Sequence, residues 1–331
     1  MRNGTFSGTH GRGYPQMRSS EQNRTGTEPS LARLAQLILD HTPHEGVFKT
    51  RIPGLYVSRF TQPSASQVKT FYMPSLAMAV QGEKAIAMGR EMFPFGASQM
   101  FAFPVAMPVD ISVKRASREE PLLGLRLELD PQKIAGLVLK VYPNGLPVVR
   151  ERRRAGYVAD AGHGIIDAAK RLLECLLHPG DDELIAPLVI DEMLIRVLRS
   201  PIGVHIAEMG IADSAVQRIA KAIAWLREHY AQPVKVSGLA EMVHMSESSF
   251  RAHFKAVTSM SPLQYQKALR LHEARRLMVS GSMDAVTASG MVGYVSPSQF
   301  NRDYSRFFGC PPRRDVARLR ENHSYERAEP I

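Results

Sequence analysis

Residues 31–41, LARLAQLILDH, carry Leu31, Leu34, Leu37 and Ile38 at helical spacing. From about residue 47 the period shortens. Strand-like runs cover 55–60, 68–73, 75–80, 84–88, 98–103, 109–114 and 122–129, with QGEK and FPFGAS between them as turns. Seven short strands so closely spaced predict a small β-barrel or sandwich. Helical spacing returns over 131–142, 159–177 and 182–200. The last of these is apolar over a wide face, through Ile185, Leu188, Val189, Met193, Leu194, Val197 and Leu198. Such a face needs cover, from the barrel or from a second subunit. SPIGVHIAEMGIAD (200–213) breaks the pattern and marks a junction. From Ser214 onward every segment reads as helix, the first striped by Val216, Ile219, Ile223, Leu226 and Tyr230.

Within this helical third one pattern occurs twice. MSESSFRAHFKAVTS (245–259) matches VSPSQFNRDYSRFFG (295–309) at an offset of 50 residues. Ser246 pairs with Ser296, Ser248 with Ser298, Phe250 with Phe300, Phe254 with Tyr304 and Val257 with Phe307. Each copy follows a short amphipathic helix and a tight turn, which is the helix-turn-helix pattern. The serines at the start are N-caps, whose oxygens accept from orphan backbone N–H groups. Pro297 suits a first helical position, and Gln299 sits where a capping box wants it. A third start of the same kind, Ser261-Pro-x-Gln264, opens a helix over 261–281 that ends at Gly281. At 1.5 Å per residue it spans about 28 Å. Adjacent major grooves on one face of B-DNA lie about 34 Å apart, so this connector can hold two recognition helices in successive grooves.

Charge sharpens the picture. The chain of 331 residues has a formal net charge of +10. Residues 214–318 hold 15 Lys and Arg against 7 Asp and Glu, a surplus of 8. The surface for a polyanionic partner therefore belongs to the C-terminal third. Two cysteines exclude a disulfide framework and fit a reducing cytoplasm. No apolar run approaches the roughly 18 residues of a membrane span. Residues 1–30 lack the apolar core of a signal peptide and read as a disordered arm, and 319–331 as a disordered tail.

The segment LAEMVHMSESSFRAHFKAVTSMSPLQYQKALRLHEARRLM together with VGYVSPSQFNRDYSRFFGCPPRRD resembles the DNA-binding domain of AraC/XylS-type transcriptional regulators. RIPGLYVSRFTQP, MPSLAMAVQGEKAIAMG and LLGLRLELDPQKIAGLV resemble the effector-binding or dimerisation domain of one subgroup of that family. The resemblance implies an α+β chain. Residues 31–205 would form a cupin-like barrel with following helices, and 214–318 an all-α domain of two helix-turn-helix units. It implies a sequence-specific regulator of transcription whose partners are double-stranded DNA, a small-molecule effector, RNA polymerase and a second copy of the chain. It puts Ser248, Arg251 and Ala252 at the groove-facing positions of the first recognition helix, and Ser298, Gln299, Asn301 and Arg302 at those of the second. Arg suits guanine O6 and N7, and Asn and Gln suit adenine N6 and N7. Ser246, Lys255, Ser296 and Arg306 are placed for phosphates. Three positions depart from the family pattern. His244 stands where the first turn usually has Gly. Ser289 stands where the second unit usually has Ala, and can bond back within its helix. Asp303 adds a negative charge beside Arg302 and is expected to orient it.

A cupin-like barrel can also be an enzyme, so a cupin-type metalloenzyme with a DNA-binding tail is the alternative. A co-regulator acting through protein contacts is a third reading. The strands carry no His-x-His, and His41 and His44 have no third ligand nearby in sequence. No metal, cofactor or catalytic group is expected. Cys310, beside two arginines, is either a reactive thiol of lowered pKa or a small buried residue, and Cys175 reads as core. Met73, Met78, Met88, Met92 and Met100 would make a soft lining for an effector, or plain core.

Overall fold

The computed structural model describes residues 19–64, 67–89, 91–148, 153–281 and 283–321. Most of the expected arm and tail lies outside them. The N-terminal region opens with helix α1 (Ser19–Asp40), which begins inside the segment expected to be an arm and has Pro29 within it. Nine strands follow: β1 (Gly46–Lys49), β2 (Leu55–Phe60), β3 (Val68–Tyr72), β4 (Ser75–Gln81), β5 (Glu83–Met88), β6 (Glu91–Gly96), β7 (Gln99–Phe103), β8 (Met107–Arg115) and β9 (Leu122–Glu128). After α2 (Pro131–Val141) come β10 (Tyr157–Asp160), α3 (His163–Glu174), α4 (Asp181–Leu184), α5 (Ala186–Leu198) and α6 (Gly203–Ala207).

The strands form two antiparallel sheets, of order β1-β2-β9-β4-β7-β10 and β3-β8-β5-β6. They face each other in a cupin-like arrangement that hydrogen bonding does not close into a barrel. Alternation along each strand fixes two layers. One face of the six-stranded sheet is covered by α1, whose Leu34, Leu37 and Ile38 are fully buried. Its other face meets the four-stranded sheet, where Phe93 and Phe95 of β6 pack on Phe101 of β7 at ring separations of 5.3 and 5.5 Å.

All seven expected strands are present. The three that the pattern missed are β1, β6 and β10, each at the edge of a sheet. An edge strand is short and half exposed, and it tolerates proline because one side needs no hydrogen bonds. That is why EMFPFG, with Pro94, looks like a turn in sequence and is a strand in the fold. The helix expected over 159–177 starts only at His163, because 157–160 pairs with β7. The helix expected over 182–200 is split at Ile185, where Pro187 lets a new helix start. Val189, Met193, Leu194, Val197 and Leu198 are buried against neighbouring helices, whereas Leu184, Ile185 and Leu188 remain exposed.

The C-terminal region comprises α7 (Ala215–Glu228), α8 (Val236–Met242), α9 (Glu247–Thr258), α10 (Pro262–Ser280), α11 (Ala285–Met291), α12 (Pro297–Phe308) and α13 (Pro312–Glu321). Among the described residues no helix is long and apolar enough to cross a membrane. The expected junction is helical: α6 runs into a short 3₁₀ turn, Glu208–Gly210, which packs on α2. One apolar core runs from the sheets through α7, α8 and α9 as far as Leu269 of α10. A second core, Leu271 to Val316, belongs to the last four helices. The boundary between cores thus falls inside α10, not between the two regions.

Candidate nucleic-acid interface

Helices α8 and α9 form one helix-turn-helix unit, and α11 and α12 the other. Ser246 caps α9 by accepting from the Ser249 N–H at 3.3 Å, and Ser296 caps α12 by accepting from the Gln299 N–H at 3.3 Å. Ser261 and Gln264 make a complete capping box at the start of α10. The three serine caps hold as read, and Pro297 opens α12, but among the described contacts Gln299 does not return the bond that would complete a capping box there. At 19 residues, α10 spans about 28 Å.

The turns differ in length by one residue. Met245 N donates to Ala240 O in the first, and Tyr294 N donates to Ser289 O in the second. Val295 is then the extra residue before Ser296. Both turns need a left-handed residue: His244 at φ +54° and Gly293 at φ +83°. Gly293 meets that need without strain, and a Cβ there would collide with the Ala231 carbonyl. His244 adopts the same region at a cost of roughly 1 kcal/mol, and its carbonyl accepts from Arg218 Nη1 at 3.0 Å.

Phe250, Phe254, Phe300 and Tyr304 are fully buried, so one face of each recognition helix is core. On the other face Ser246, Ser248, Arg251, Ala252 and Lys255 of the first unit are exposed, as are Ser298, Gln299, Asn301, Arg302 and Arg306 of the second. Ser296 is half-buried. Arg302 and Arg306 have no ion-pair partner among the described residues, and with Asn301 they border an open depression beside Pro312 and Arg313. Arg251 is held by Glu247 one turn earlier, at 2.6 and 2.9 Å. An exposed pair of this spacing is worth about 0.3–0.5 kcal/mol, less than the roughly 1–3 kcal/mol of a bidentate guanine contact. The Glu247 contact therefore does not block readout.

Two departures resolve differently. Ser289 is buried and donates to Val286 O at 2.7 Å, the back-bond expected of it. Asp303 does not orient Arg302. It is buried on the inner side of α12, paired with Lys267 of α10 at 2.6 Å and facing the Tyr294 hydroxyl at 3.4 Å. A helical step of one residue turns the side chain by about 100°, and that carries Asp303 off the Arg302 face.

Sequence reasoning missed the charged centre that holds the second unit together. Asp315 of α13 is fully buried and accepts from Arg275 Nε at 2.7 Å, Arg275 Nη2 at 2.9 Å, Tyr304 Oη at 2.9 Å and Arg318 Nη2 at 2.9 Å. Arg275 also donates to Lys69 O of β3 at 3.1 Å and lies over Phe308 at 4.1 Å. No local motif announces this set, because its members come from α10, α12 and α13.

The chemistry expected elsewhere resolves as follows. Cys310 lies 3.7 Å from Asp315 Oδ1, and burial together with that carboxylate pushes its thiol up. The reading of a thiol with lowered pKa is therefore not supported. Cys175 is buried core. The five methionines do not line one space: Met78, Met88 and Met100 are fully buried, Met92 is exposed, and Met78 pairs with Met100 on the α1 side of the sheet. Among the described residues no three His, Cys, Asp or Glu side chains cluster as a metal site.

Comparison with known proteins agrees with this organisation. The AraC-type transcriptional regulator N-terminus family matches residues 51–205, and a helix-turn-helix domain family matches 239–318. The regulator ExsA of Pseudomonas aeruginosa is 27% identical over 145 residues, 44% of this chain and 51% of ExsA. The transcriptional activator RclR of Escherichia coli is 35% identical over 86 residues, 26% of this chain and 30% of RclR. The chain thus spans about a quarter to a half of the length of the curated relatives it matches. Crystal structures of ToxT from Vibrio cholerae share the fold over 83% of this chain and 99% of theirs, with a TM-score of 0.54 at 10% identity. Both regions are thus matched in order: residues 51–205 are similar to the N-terminal region of AraC-type transcriptional regulators and residues 239–318 to a helix-turn-helix domain, with the two helix-turn-helix units in place.

Proposed function

We propose that the protein is a transcription regulator that binds specific DNA sequences through α9 and α12 and responds to a small molecule through its N-terminal region. The observation that carries this reading is the pair of capped helices with buried aromatic faces and exposed polar ones. Arg302, unpaired and exposed, is the strongest candidate for base readout, with Ser298, Gln299 and Asn301 beside it. Ser248, Arg251 and Ala252 read in the first unit. Ser246, Lys255, Ser296 and Arg306 anchor phosphates. The effector role is supported by the match to the regulator N-terminus family and by a ToxT structure described as bound to an unsaturated fatty acid. A DNA-bound role assigns the protein to the cytoplasm. RNA polymerase is the expected partner of a protein related to a transcriptional activator. The exposed Leu184, Ile185 and Leu188 are where a second copy would pack.

The test is Arg302→Ala, measured by fluorescence anisotropy on the preferred site and on unrelated duplexes. The expected loss is about 1–3 kcal/mol on the preferred site alone. A uniform loss across sequences would make Arg302 a phosphate contact.

A further inference from the structure

The repeat at 50 residues runs on past the recognition helices. Both helices end on a left-handed residue, Ser259 after α9 and Gly309 after α12. The next helix starts at the same offset, α10 at Pro262 and α13 at Pro312. At its second position α10 carries Leu263 and α13 carries Arg313, both exposed. The turn and helix start thus form with either residue, and the charge of Arg313 is not needed to build them. The position just before the helix differs too. Ser261 caps α10 by accepting from the Gln264 N–H at 3.3 Å, whereas Pro311 has no side-chain oxygen to offer α13. A helix start without a side-chain cap leaves its positive end to an outside acceptor.

Arg313 shares one open depression with Arg302 and Arg306, which sit one turn apart on α12, and with Asn301 and Ser305. None of the three arginines has an ion-pair partner among the described residues. The acids of these two helices face inward: Asp303 is buried against Lys267, and Asp315 is fully buried against Arg275 and Arg318. Asp284, the chain neighbour of the lining residue Ala285, caps α11 by accepting from the Thr287 N–H at 2.7 Å. Like charges one helical turn apart repel. Three uncompensated guanidinium groups around one hollow therefore suit an anion from outside the chain.

We propose that this depression seats a backbone phosphate of the duplex that α12 reads, held between Arg306 and Arg313, so that α13 extends the DNA interface beyond the two recognition helices. The depression is continuous with the exposed face of α12 through Asn301 and Arg302. The first turns of a recognition helix meet base edges. Arg306, one turn further on, and Arg313, on the adjoining helix, then meet the strand at the edge of the groove. Guanidinium forks match phosphate oxygens, and phosphate contacts position the protein without reading sequence. The first unit has Ala256 and Leu263 at the matching positions, so this pair of cations belongs to the second unit. The proposal rests on the reading of α12 as a DNA-reading helix and adds α13 to its surface.

The test measures the affinity of the full chain for its preferred duplex and for unrelated duplexes, by fluorescence anisotropy over a series of salt concentrations. Arg313→Leu, which introduces the residue of the first unit, is expected to weaken binding equally on every duplex. It is also expected to make the slope of log affinity against log salt shallower by about 1. Arg313→Lys keeps the charge and is expected to keep the slope. The three proteins are expected to melt together without DNA, since the same helix start folds with Leu263. Duplexes that each carry one uncharged methylphosphonate linkage locate the contact: one linkage is expected to weaken the wild type and leave Arg313→Leu unaffected. An unchanged slope in Arg313→Leu, a loss confined to one sequence, a slope that Arg313→Lys also loses, or no such linkage would each overturn the proposal. Site-specific binding that Arg313→Leu leaves intact rejects this inference alone. Equal wild-type affinity for every sequence, with the slope loss present, rejects specific readout and supports the phosphate contact. A wild type that binds no duplex rejects the regulator reading and this inference with it.

Discussion

His272 of α10 is the clearest single-residue consequence of how the two regions meet. It is buried, with rings of Phe71, Phe307 and Phe308 at 6.3, 5.4 and 5.4 Å, and its Nε2 has no hydrogen-bond partner. Burial lowers its pKa to about 3, and the positive charges of Arg275 and Lys69 add to the effect. In the unfolded chain it titrates near 6.5. Between those values the unfolded chain holds a proton that the folded one lacks. Stability therefore falls as pH drops below about 6.5, by about 2 kcal/mol at pH 5. His253 is pushed down in the same direction and adds to the slope. Replacing His272 with Phe, which keeps the aromatic packing, is expected to remove most of that slope. Urea unfolding of both proteins at pH 7, 6 and 5 checks it; identical slopes would refute the assignment. At this scale the sequence was legible where a residue acts locally. The caps, the back-bond of Ser289 and the buried aromatics were readable from spacing. Asp303 and Arg275 were not, because their partners lie on other elements.

The elements follow the same division. The two recognition helices and the capped connector were legible because each is specified by its own start signal and apolar stripe. The central strands were legible for the same reason. The edge strands β1, β6 and β10 were not, since short half-exposed runs lack a strong period. What joins α10, α12 and α13 is the buried Arg275–Asp315 pair with the Tyr304 hydroxyl. Removing one partner of a buried pair strands the other without compensation. Asp315→Ala is expected to cost about 3–5 kcal/mol, a large part of the stability of a domain. Denaturant unfolding followed by tyrosine fluorescence measures it. A loss below about 1 kcal/mol would mean that the pair is solvated and does not organise the second unit.

For the molecule as a whole, the N-terminal sheets and the first helix-turn-helix unit share one core, while the second unit has its own. Tyr265 Oη donates to Ala106 O at 2.6 Å, and Ser259 Oγ donates to Glu91 at 2.5 Å, so the sheet region holds α9 and the start of α10 directly. A change between the sheets has a packed route to the first recognition helix. None of this was legible in sequence, where the two regions read as separate domains with a junction between them. The repeat at 50 residues did locate the two helix-turn-helix units, within the third of the chain that carries the charge surplus.

The central claim is that α9 and α12 read one duplex together. The most direct measurement is a footprint of the full chain on the genomic fragment it selects, at physiological salt. Two protected segments about 10 base pairs apart on one face of the duplex are predicted, with affinity falling steeply as salt rises. A single protected segment, or equal affinity for every fragment, would contradict the account.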